Sequence, residues 1–85
     1  MSGARSALAV TRNPLLGLPA AKRIAELEPA ARELLAAILC DLSKDARARA
    51  DKAWRTHKGP MAGYWKSIAV YATHTKRALR AGGAT

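Results

Sequence analysis

The stretch at residues 53–65, AWRTHKGPMAGYW, decides the fold of this chain. Within it, His57-Lys58-Gly59-Pro60 reads as a helix stop followed at once by a helix start. Glycine tolerates the left-handed backbone that ends many helices, so Gly59 is expected as the cap residue. Proline has its φ preset for a first helical turn and lacks the N–H that would be orphaned there, so Pro60 is expected to open the next helix. Helical patterns run away from this point in both directions. The sequence therefore predicts two antiparallel helices joined by a tight turn.

Upstream, a long helix is expected from Pro29 toward His57. Glu28-Pro29 closes what precedes it, because a residue before proline is pushed out of the α region. Glu33 in the early turns suits the positive end of the helix dipole. Leu34, Leu35, Ile38, Leu39 and Leu42 follow helical spacing and define one apolar stripe. It stops at Ser43-Lys44-Asp45. A second stripe of Ala46, Ala50, Ala53, Trp54 and His57 begins there, turned from the first. Continuing the first stripe in a straight helix would centre it on Arg49, and burying an unpaired guanidinium is costly. Either the helix bends near Ser43, with Ser43 capping its second half, or it runs on and leaves the core. A continuous or slightly kinked helix is the favoured reading.

Downstream, a helix over about Met61 to Arg80 places Met61, Tyr64, Trp65, Ile68, Tyr71, Ala72, Thr75 and Leu79 on one face, read as the core face. Lys66, Thr73, Arg77 and Arg80 fall opposite, with Val70 among them. Before the long helix, Pro19 suits the first turn of a short helix over Leu18 to Leu27. Residues 1–13, MSGARSALAVTRN, read as a flexible basic arm, and residues 82–85 as a frayed tail. No heptad run, internal repeat or strand-like alternation is read. The expected fold class is all-α, a small three-helix arrangement. Its long central helix forms an antiparallel hairpin with the C-terminal helix, and residues 14–81 make a single helical domain.

A chain of 85 residues hides only roughly 60 to 65 % of its unfolded surface, so its core is thin. It has no Phe, and its abundant alanine contributes little burial per residue. A core this lean is compatible with a homodimer. Cys40 is the lone cysteine, which excludes an intrachain disulfide and reads as a small apolar core residue in a reducing, cytoplasmic setting. The longest strictly apolar run, Leu34 to Cys40, is far short of the ~20 residues that span a bilayer. Arg12 interrupts the N-terminal apolar stretch before a signal-peptide core develops.

Charge gives the direction of function. Fifteen Lys and Arg stand against six Asp and Glu, and all six acids fall between Glu26 and Asp51. Two acid-free flanks make a positive surface suited to nucleic acid, a nucleoprotein, an acidic protein or an anionic membrane. No phosphate loop, nucleophile elbow or metal-spaced histidine pair is present, so no enzyme, cofactor or metal is expected. His57 reads as a helix-closing residue and His74 as a surface one.

The candidate binding residues are Arg47, Lys52, Arg55 and Lys58 before the turn, and Lys66, Lys76, Arg77 and Arg80 after it. Asp45 can pair with Arg49, and Asp51 with Arg47 and Arg55, at helical spacing. The four bases of the last helix have no acid after Asp51 and are read as unpaired. The chain has no Gln and a single Asn, which argues against base-specific reading of DNA. Trp54, at the margin of its stripe, is the candidate exposed anchor, whereas Tyr64, Trp65 and Tyr71 read as core.

Two functions fit. The first is a small basic protein that engages nucleic acid or a nucleoprotein complex through its Lys/Arg face, largely independently of sequence. The alternative is an inhibitor or regulator that docks an acidic surface of a larger complex with basic and aromatic residues. By analogy of type, this suits a phage or mobile-element accessory protein of the anti-defence or anti-CRISPR kind. Membrane attachment ranks last, because the hairpin core accounts for the apolar face of the last helix.

Overall fold

A computed structural model of the protein describes residues 13–82; apart from Asn13, the expected arm lies outside the described residues. Two 3-10 helices, Pro14–Gly17 and Pro19–Glu26, precede two long α-helices, α1 (Pro29–Arg55) and α2 (Gly59–Arg80). Among the described residues there is no strand, and no helix is long and apolar enough to cross a membrane. The all-α hairpin of long central and C-terminal helices is thus the observed fold.

The segment before α1 is tied to α2 through Asn13. Asn13 is buried; its Oδ1 accepts from the Leu15 N–H (3.2 Å) and its Nδ2 donates to the His74 carbonyl (2.7 Å). The helix expected over Leu18 to Leu27 takes the tighter 3-10 form, closing with Leu27 N–H to the Ile24 carbonyl at 3.1 Å. Pro19 and Pro29 confine it to a length at which an α-helix returns little for its nucleation cost.

α1 is uninterrupted. Ser43 does not cap a second half: buried at the hairpin seam, its hydroxyl donates to the Cys40 carbonyl at 2.9 Å within the same helix.

The turn departs from the sequence reading in one respect. His57, not Gly59, takes the left-handed position, with φ 59°, while Gly59 opens α2. The Lys58 N–H reaches the Ala53 carbonyl (2.8 Å) and the His57 N–H reaches the Trp54 carbonyl (3.2 Å), the paired bonds of a Schellman motif. A non-glycine residue in this region carries roughly 1 kcal/mol of steric cost. His57→Gly should therefore stabilise the protein by about 0.5–1 kcal/mol. For a domain this small, that raises the thermal midpoint by roughly 2–8 °C. An unchanged or lowered midpoint in a calorimetric scan would show that the histidine ring makes a compensating contact.

The seam between the helices is built from alanine. In α1, Ala36 and Ser43 are buried seven residues apart, as are Ala46 and Ala53; in α2, Ala62 and Ala69 and then Ala72 and Leu79 repeat the pattern. Apart from Leu79 this is a heptad of small residues, which the sequence reading missed, and it lets the two backbones approach closely. The leucine stripe consequently lies beside the seam. Leu34, Leu35, Ile38 and Leu42 are exposed, as are Met61, Tyr64 and Tyr71 of the face assigned to the core. Leu39, Trp65, Ile68 and Thr75 are half-buried. Ala72 and Leu79 of that face are buried as expected. The described chain is flat, with extents of 48 × 29 × 15 Å, so the hairpin has two broad sides.

Candidate nucleic-acid interface

On one side, near the turn, α1 and α2 enclose a groove of ≈ 490 Å³. Ala50, Ala62 and Ala69 make its floor, because the small residues of the seam leave depth between the helices, and the exposed Gly63 lies at its rim. Packing does not require a glycine at 63: a Cβ there would meet nothing within 4 Å. A glycine inside a helix costs roughly 0.5–1 kcal/mol relative to alanine. A side chain at this position would project into open space beside the groove.

Trp54 and Val70 wall the groove, and Arg47, Lys66 and Asp51 supply its charge. Trp54 is 72 % exposed, so its ring is held at the groove without being part of the core. The periodicity of α2 continues the basic strip beyond the groove, from Lys66 through Val70 and Thr73 to Arg77. In α1, Lys44 lies one turn before Arg47, a base absent from the candidate set, but eleven residues before Arg55 and so on the same outward arc as Arg55.

Ion pairing sorts the remaining bases. Among the described residues, ion pairs form at Arg23–Glu26, Asp45–Arg49 and Glu33–Arg80. The expected pairing of Asp45 with Arg49 is present at 2.8 Å, whereas Asp51 pairs with neither Arg47 nor Arg55. Arg49 also lies over the Trp65 ring, 4.9 Å from its centroid, and Tyr64 meets that ring edge-on at 5.3 Å. The guanidinium that could not sit in the core instead braces its edge.

Arg80 corrects the reading of four unpaired bases in the last helix. Its Nη2 donates to Glu33 Oε1 across the hairpin at 3.0 Å, and Glu33 lies 47 residues away in sequence. Lys76 is half-buried at the heptad position of Ala62 and Ala69, so it sits at the seam. Lys52 and Arg55 are exposed and occupy the outward arc of α1, away from α2. Lys58 is exposed at the turn. The structure thus brings Arg47, Trp54 and Lys66 together, with Arg77 further along, and does not gather Lys52, Arg55, Lys76 and Arg80 with them.

The histidines stand apart from the groove. His57 is in the turn, and His74 is half-buried with its ring edge-on to Tyr71 at 6.5 Å. Among the described residues, no three His, Cys, Asp or Glu side chains gather as a metal site. Comparison with family models, with curated proteins and with solved structures finds no match for this chain.

Proposed function

We propose that this is a non-enzymatic protein that binds single-stranded nucleic acid, free or within a nucleoprotein, with little regard to sequence. The supporting observation is the convergence of Arg47, Lys66 and the exposed Trp54 ring on one groove. Lysine and arginine neutralise phosphates whatever the base, and an indole face stacks on any base. Among the described residues lining the groove, Asp51 alone opposes them. A reducing cytoplasm, where nucleic acid is accessible, suits the lone Cys40.

Fluorescence anisotropy with labelled single-stranded DNA, RNA and duplex, from low to physiological salt, tests this reading. Binding should be alike across sequences and weaken log-linearly with salt. Trp54→Ala should weaken single-strand binding by about 1–3 kcal/mol, roughly 5- to 150-fold, and affect duplex binding less. Absence of binding at low salt would eliminate the proposal.

A second reading rests on the apolar floor of the same groove. Ala50, Ala62 and Ala69 fit an apolar side chain better than a phosphate. An acidic protein segment carrying such a side chain would be held by Arg47 and Lys66 around it, as an inhibitor of a larger complex would be. Such a complex survives moderate salt, because burial contributes beside charge.

A further inference from the structure

The side of the hairpin away from the groove is apolar and uncharged at its centre. Leu34, Leu35, Ile38 and Leu42 of α1 are between 40 % and 64 % exposed, and Tyr64 and Tyr71 of α2 are 56 % and 58 % exposed. Between the helices lies a hollow of ≈ 330 Å³ lined by Leu39, Leu42, Tyr64, Ile68 and Tyr71, with no charged residue on its wall among the described residues. From residue type and fractional exposure, these six exposed side chains present roughly 600–700 Å². That exceeds the few hundred Å² usual for a monomer's apolar patch and approaches the ~800 Å² per partner of a standard interface.

We infer that this face joins a second copy of the chain, forming a homodimer with the basic grooves on its two outer sides. The first reason is the core. Among the described residues, alanine dominates the buried apolar positions, and no large side chain is fully buried. The apolar groups that stabilise most per residue are therefore the ones left outside, and the surface to which they belong is the one still available for burial.

Charge supplies the second reason. A chain of net charge +9 resists meeting itself wherever cations would be buried, but Arg47, Lys66 and Arg77 lie off this face, and Arg49 at its turn-side edge is paired with Asp45 at 2.8 Å. An acidic partner would be drawn to the basic side, whereas a neutral apolar side suits a partner equally neutral and apolar. A second copy offers that by symmetry, because a two-fold interface places one patch against itself. The ridge of Leu34, Leu35 and Ile38 beside the tyrosine-flanked hollow provides both relief and recess for such a fit.

Sedimentation equilibrium of the full chain across micromolar concentrations is the test. The expected mass is twice the 9.1 kDa of the chain, and the thermal midpoint should rise with protein concentration. Added salt should strengthen association by screening repulsion between two positive copies, opposite in sign to its effect on nucleic-acid binding. Ile38→Lys with Tyr71→Lys should halve the mass, while Ala48→Lys, on the exposed outer arc of α1, should leave it doubled. If the double variant cannot fold alone, the wild-type dependence of midpoint on concentration still decides. A wild-type chain of single mass with a concentration-independent midpoint would overturn the inference. So would a doubled mass that survives the double variant.

Discussion

A chain carrying Arg47→Glu, Lys66→Glu and Arg77→Glu is expected to lose about 100-fold or more in affinity for single-stranded nucleic acid at low salt. The three bases come from both helices, are exposed, and take part in no ion pair among the described residues. Reversing them removes phosphate contacts and adds repulsion without emptying any part of the seam. Helicity should stay at the parent level. With Gln at the same positions, the slope of log affinity against log salt should flatten by about 2, since each single-strand contact contributes roughly 0.7. Arg80→Glu makes the informative contrast. It sets a carboxylate against Glu33 and should lower stability more than binding. Undiminished binding by the triple Glu variant, measured by anisotropy, would remove the groove side as the site.

The second large effect concerns the seam. Ala46 is fully buried where α1 meets α2, and Ala69 is 1 % exposed on the facing helix. Ala46→Leu changes helix propensity little, yet forces a branched side chain between closely approached backbones. Overpacking of this kind costs roughly 1–3 kcal/mol, and the upper end is expected because alanine neighbours have no rotamers to rearrange. In a domain of marginal stability, this lowers the thermal midpoint by roughly 12–24 °C. Ala48→Leu, exposed on the same helix, should shift it hardly at all. Equal midpoints for the two variants would mean that the seam is not the tight contact its burial indicates.

The hairpin was legible in sequence because its signals are local. Glu28-Pro29 and Gly59-Pro60 bound the long helix, and the spacing of apolar residues on either side has helical period. The orientation of the two helices was not legible by the same reading. Apolar surface per side chain ranks Leu34, Ile38, Tyr64 and Tyr71 above any alanine, so it turned those residues inward. Close packing of two helices depends on side-chain size as well, and the seven-residue repeats of Ala36 with Ser43, Ala46 with Ala53, and Ala62 with Ala69 were the signal. Trp54 could be placed outside because it stood at the edge of its stripe. The pairing of Arg80 with Glu33 depends on cross-hairpin register, which local spacing does not encode. The rotation of each helix about its axis, set by the alanine seam, separates Arg47 and Lys66, gathered at the groove, from Lys52 and Lys76, which are not.

An alanine seam also decides where conformational freedom is kept. Alanine has no rotamers to freeze, so closing the hairpin along Ala36, Ala46, Ala53, Ala62, Ala69 and Ala72 forfeits almost no side-chain entropy. The side chains rich in rotamers, Leu34, Leu35, Leu42, Lys66, Arg47 and Arg77, stay exposed on the two broad sides after folding. Their immobilisation is deferred to the moment when something docks. Each side can therefore be tuned by ordering its own surface residues, leaving the seam that carries them unchanged.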